Sequence, residues 1–122
     1  MEYERFLELV EERAEIEDRD EAARTAQVVL QALVDRLTGN EARDMLAQLP
    51  YQLKVAVTVT EAPTGWTPDA FVRWVAEKLQ VADEEARERI RAVFATLREA
   101  LSAGEFQDIL EQLDPPYADL LA

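Results

Sequence analysis

Residues 21–49, EAARTAQVVLQALVDRLTGNEARDMLAQL, and residues 85–113, EARERIRAVFATLREALSAGEFQDILEQL, decide the fold. At an offset of 64, ten of the 29 positions are identical: Glu21/Glu85, Ala22/Ala86, Val29/Val93, Leu33/Leu97, Leu37/Leu101, Glu41/Glu105, Asp44/Asp108, Leu46/Leu110, Gln48/Gln112 and Leu49/Leu113. Upstream the offset becomes 65, where Phe6, Val10 and Glu12 match Phe71, Val75 and Glu77. A one-residue change between matched segments is what a loop between helices tolerates. Self-similarity at a fixed spacing marks a repeated structural unit. The chain therefore reads as two tandem repeats of about 60 residues.

Both repeats carry the same helical periodicity. Phe6, Val10 and Ala14 share one face of a short helix beginning near Glu2. Ala22, Ala26, Val29, Leu30, Leu33 and Leu37 then form an apolar stripe about 100° wide, as a core-facing helix requires. Asp18 is placed to cap that helix, with Glu21 completing a capping-box-like pair. Thr38-Gly39 predicts its end, because glycine accepts the left-handed conformation after a last turn. Asn40 predicts the cap of a third helix bearing Ala42, Met45, Leu46 and Leu49, stopped by Pro50. In the second repeat Thr67-Pro68 opens a helix with Phe71, Trp74, Val75 and Leu79. Ala86, Ile90, Val93, Phe94, Leu97 and Leu101 repeat the long stripe, and Phe106, Ile109, Leu110 and Leu113 repeat the third face.

The stretch YQLKVAVTVT, residues 51–60, is ambiguous. Val55, Val57 and Val59 alternate as in a strand, yet a lone strand has no partner in a helical chain. One or two helical turns from about Tyr51 to Val57, followed by extended chain, fit better; the corresponding Tyr117–Leu121 reads as a short helix after a proline. The fold class is all-α: two tandem helical repeats packed into one helix bundle. Residues 1–122 form a single helical domain, with repeat one at 1–57, a linker at 58–67 and repeat two at 68–122.

Tyr3-Glu4-Arg5-Phe6-Leu7, Thr38-Gly39-Asn40-Glu41-Ala42-Arg43-Asp44 and Gln48-Leu49-Pro50 resemble a bacterial family called domain of unknown function 2267. Ser102-Ala103-Gly104-Glu105, Asp108 and Gln112-Leu113 repeat the same element. The resemblance covers nearly the whole chain and implies a two-repeat helical fold. It implies no activity for any residue. The sequence departs from the family's pattern at Asp114, where a proline would stand, and in the β-branched run Val55–Thr60.

Composition removes many functions. The 122 residues hold 26 acids and 13 bases, with no His and no Cys, for a net charge of −13. Disulfides, thiolate metal sites, cysteine nucleophiles, Ser-His-Asp triads and His-bearing zinc sites are excluded. Acids outnumber bases in both halves, 14 to 7 in residues 1–61 and 12 to 6 in residues 62–122. No basic patch exists to displace counterions from nucleic acid or to adsorb to an anionic membrane. No apolar run approaches the roughly 20 residues that span a bilayer, and MEYERFLELV lacks the character of a signal peptide. The cytoplasm is the expected compartment.

Each candidate for chemistry has a structural competitor. Glu11, Glu12, Glu15, Glu17, Asp18, Asp20 and Glu21 could hold Ca²⁺ or Mg²⁺, but they lack a binding-loop spacing and acids near a helix start complement its dipole. Glu41/Asp44 and Glu105/Asp108 could serve as an acid–base pair, though first-turn acids are structurally expected there. A di-iron bundle normally needs Glu-x-x-His, and there is no His. Arg87, Arg89 and Arg91 are surrounded by Asp83, Glu84, Glu85 and Glu88 at i,i+3 and i,i+4 spacings, which predicts a salt-bridged exposed face. No catalytic residue, cofactor or metal ligand is assigned. Trp66 and Tyr51, near the connection between repeats, are the candidate partner-binding residues, since Trp and Tyr dominate interface hot spots; pinning the linker is their alternative role. Trp74 is expected in the core. The leading function is a non-enzymatic helical protein–protein interaction module, with a protein partner or a second copy of the chain bound. The alternatives are a carboxylate-based enzyme or divalent-metal-dependent protein, and an acidic mimic that binds a basic protein.

Overall fold

The two long apolar stripes become the two longest helices. A computed structural model describes residues 1–121. The elements are α1 (Tyr3–Ala14), α2 (Arg19–Arg36), α3 (Gly39–Ala47), α4 (Tyr51–Lys54), α5 (Pro68–Leu79), α6 (Asp83–Ala100), α7 (Ala103–Gln112) and α8 (Tyr117–Leu121). The fold is all-α, and no strand occurs among the described residues. No helix among them is long and apolar enough to cross a membrane.

Helices α1, α2, α5 and α6 make the central layer, and their pairing is interleaved. α1 packs on α6 as well as α2, and α5 packs on α2 as well as α6. Phe6, Val10, Ala22, Ala26, Val29 and Leu33 thereby join Phe71, Val75, Ala86, Ile90, Val93 and Leu97 in one cluster of buried side chains. Each fully buried Leu, Ile, Val or Phe contributes roughly 1.5–3 kcal/mol relative to exposure. α3 packs on α7 outside this layer, while α4 lies against α1 and α8 against α6.

Matched helices end alike. α1 and α5 both stop at a left-handed residue, Glu15 (φ 55°) and Gln80 (φ 57°), 65 positions apart like Phe6 and Phe71. α2 and α6 instead stop in extended Leu37 and Leu101, whose side chains are buried. This corrects the expected role of Gly39. It does not close α2 in a left-handed turn but lies in the first turn of α3, and Thr38, not Asn40, is the cap, its Oγ1 accepting from Glu41 N. A side chain at Gly39 would meet the Glu61 carboxylate at 2.6 Å, where Glu61 reaches across to pair with Arg43. Asp18 caps α2 as expected, accepting from Asp20 N.

The alternating valines have a physical account. After α4 the chain turns and leaves helical structure, and the Gln31 carboxamide donates to Thr58 O and accepts from Thr58 N, both at 2.9 Å. A side-chain amide thus takes the place of a neighbouring strand, while Val57 and Val59 pack on the core. Asp114, the departure from a proline, pairs with the buried Arg36 at 3.1 Å.

Candidate functional site

The polar identities between the two halves meet on the seam of α3 and α7. Ser102 Oγ accepts from Glu105 N at 3.1 Å, just as Thr38 caps α3. Each cap is also held from the other helix. Gln48, at the end of α3, accepts from Ser102 N at 2.8 Å and donates to Ser102 Oγ at 3.4 Å. Gln112, at the end of α7, accepts from Thr38 N at 3.1 Å and donates to Thr38 Oγ1 at 3.2 Å. These crossed clasps join the end of each helix to the start of the other, so α3 and α7 run antiparallel.

Between the clasps lie the carboxylates. Oxygens of Glu41, Glu105 and Asp108 lie within 4.8 Å of one another. Glu105 is only 8% exposed, and its Oε2, like Glu41 Oε1, is fully covered and receives no N–H or hydroxyl donor. Burial pushes the Glu105 carboxyl up to about 8, reinforced by the hydrogen bond to Glu41 and by the charges of Glu41, Asp44 and Asp108. Two carboxylates in contact cannot both ionise freely, and sharing one proton is one relief of their repulsion. The chemistry available here is that of a proton store or of hard oxygen ligands.

The other expected sites fare differently. The acids from Glu11 to Glu21 do not converge into a comparable cluster among the described residues; Glu11 pairs with Arg19 at 3.0 Å and Glu21 with Arg89 at 2.7 Å. Arg89 is not on an exposed face. It is buried, and its Nη1 donates to Glu21 Oε1 and to Thr25 Oγ1 (2.9 Å) on α2 while Nη2 donates to Glu85 (2.6 Å). Arg87 faces Asp69 and Glu84, and Arg91 Nε donates to Leu120 O at 2.9 Å. The three arginines tie elements together.

Tyr51 is 71% exposed at the start of α4, with Val55 at 59% beyond it. Tyr51 lines a cleft of about 220 Å³ with Met1, Glu2, Tyr3, Glu4, Pro50 and Gln52. Trp66 lies elsewhere: its ring sits 5.5 Å from that of Trp74, and its carbonyl accepts from Tyr117 Oη. Trp74 is half-buried rather than in the core, with Lys78 Nζ over its ring at 5.4 Å.

A family model described as an uncharacterized conserved protein, DUF2267, matches residues 3–120. The chain belongs to this family. No curated protein matches it. The DUF2267 description carries no chemistry, so the seam must be read from its own geometry. Residue-by-residue reading offers Glu41/Asp44 and Glu105/Asp108 as an acid–base pair within each helix or as first-turn acids, and does not bring the two helices' carboxylates together. The missed signal was the spacing of the polar identities, 41, 44 and 48 in one half and 105, 108 and 112 in the other. Positions i, i+3 and i+7 share one helical face, and that face points from each helix toward the other.

Proposed function

We propose that this protein is a non-enzymatic, cytoplasmic protein–protein interaction module whose partner is a basic protein. The observation that carries this is Tyr51, a largely exposed aromatic beside exposed Val55 on a chain of net charge −13. Large aromatics bury much area at small entropic cost and dominate interface energetics. Glu2 and Glu4 line the same cleft as Tyr3 and Tyr51, which suits a segment carrying an apolar anchor flanked by Lys or Arg. Self-association through this corner sets −13 against −13, so a basic partner fits better than a second copy. Trp66, stacked on Trp74, fits the linker-pinning role, and we assign partner contact to Tyr51 first. We further infer that residues 1–57 and 68–122 are two copies of one unit joined by 58–67. The equal lengths of α1 and α5 (12 residues each) and of α2 and α6 (18 each) support this.

The test is affinity capture from host lysate with stepwise salt elution, in parallel for the wild type, Tyr51→Ala and Trp66→Ala. A stoichiometric basic protein, released by salt and lost with Tyr51→Ala, is the expected result. Capture that is indifferent to both salt and Tyr51→Ala would refute the assignment.

A further inference from the structure

We propose that Glu41, Glu105 and Asp108 form a binding site for a divalent cation of the calcium class on the seam of α3 and α7, with Asp44 at its edge. Three carboxylates from two helices bring their oxygens within 4.8 Å of one another. Ca²⁺ takes carboxylate oxygens in flexible geometry, whereas Mg²⁺ demands near-ideal octahedral geometry and gives up its waters reluctantly, so three carboxylates fixed on two helices suit the calcium class.

Convergence of acids alone would not point to a ligand; the covered oxygens do. Glu105 is 8% exposed, and its covered Oε2 receives no N–H or hydroxyl donor. Glu41 Oε1 is covered without such a donor as well. A buried carboxylate oxygen with no donor is costly; a proton shared by Glu41 and Glu105 is one relief, and a bound cation is the alternative that serves all three carboxylates. Among the described residues, none of Glu41, Asp44, Glu105 and Asp108 enters an ion pair. Arg43, the base on α3, is engaged with Glu61 and Asn40 instead. All the donors are carboxylate oxygens, the hard ligands that Ca²⁺ takes, and the exposed Asp108 leaves one side open for water to complete the shell. The Gln48–Ser102 and Gln112–Thr38 clasps fix both helices from their ends, so the carboxylates are presented on a rigid frame. First-turn dipole complementation explains an acid at 41 and at 105, but not why both side chains turn inward to the same point.

This inference stands apart from the Tyr51 assignment. It is tested by thermal unfolding of the full chain in EDTA, CaCl₂ or MgCl₂ at matched ionic strength, alongside Glu105→Gln, Asp108→Asn and Glu17→Gln. Glu17 is exposed in the dense acidic stretch and reports non-specific screening. The expected result is a Tm raised by roughly 5 °C or more at saturating Ca²⁺, a smaller rise with Mg²⁺, loss of the Ca²⁺ response in Glu105→Gln and Asp108→Asn, and its retention in Glu17→Gln. Because Glu105→Gln removes a repulsion, it folds in EDTA and keeps the comparison valid. No Ca²⁺-specific shift in the wild type, or an equal shift in Glu105→Gln, would overturn the proposal.

Discussion

Glu105→Gln removes a pH dependence that most carboxylates do not have. In the folded protein the Glu105 carboxyl is pushed from 4.5 up to about 8 by burial, by its hydrogen bond to Glu41 and by the charges of Glu41, Asp44 and Asp108. Between those two values the unfolded chain has released the proton while the folded chain keeps it. The folded state then binds more protons, so stability falls as pH rises. This group's favourable term is complete below the unfolded value and is lost as pH climbs through the folded one. The whole interval corresponds to about 5 kcal/mol at ~1.4 kcal/mol per pKa unit, and about three-quarters of it is expressed between pH 5 and pH 8. The proton is shared with Glu41, which makes that figure a ceiling.

Gln at 105 keeps the shape and the hydrogen bond but carries no ionisable group. Urea unfolding in EDTA at several pH values, comparing wild type and variant, isolates the effect of the Glu41–Glu105 pair, because titrating groups remote from it cancel in the difference. The variant is expected to gain on the order of 2 kcal/mol or more over the wild type between pH 5 and pH 8. A difference that stays constant over that range, or shrinks as pH rises, would refute the reasoning.

Four further outcomes are expected. Phe71→Ala empties a fully buried site against Tyr117 and should cost about 3–5 kcal/mol in urea unfolding. Gln80→Gly relieves a left-handed non-glycine at the end of α5 and should raise stability by about 0.5–1 kcal/mol, read as a higher denaturant midpoint. Arg89→Lys loses the fork that spans Glu21, Thr25 and Glu85; a loss of about 2 kcal/mol is expected, whereas an unchanged midpoint would mean that Arg89 is replaceable by any cation. Gln48→Ala opens one clasp and should cost about 1 kcal/mol, with faster amide exchange at Ser102.

The sequence made the helices legible because their apolar stripes recur at fixed spacing, and burial of Val29, Leu33, Val93 and Leu97 is enough to explain those identities. Helix ends were harder. Thr38, Gly39 and Asn40 are all plausible at a junction, and only the extended Leu37 decides that Thr38 caps α3. Glu15 and Gln80 carry no compositional mark of a left-handed residue. Long-range polar contacts were the least legible. Arg89 has local acids that suggest an exposed face, yet its partners Glu21 and Thr25 lie 68 and 64 residues away. The seam was half-visible: Glu41/Glu105, Asp44/Asp108 and Gln48/Gln112 are identities that no apolar core requires. Which helix they face follows only from the antiparallel packing of α3 on α7.

The most direct test of that seam is a carboxyl ¹³C NMR titration of Glu41 and Glu105 in EDTA. One member of the pair titrating far above the ordinary range, near the value of about 8 set by its surroundings, is the predicted result. Two ordinary midpoints below about 5 would mean that the carboxylates do not meet between α3 and α7, and would contradict the account.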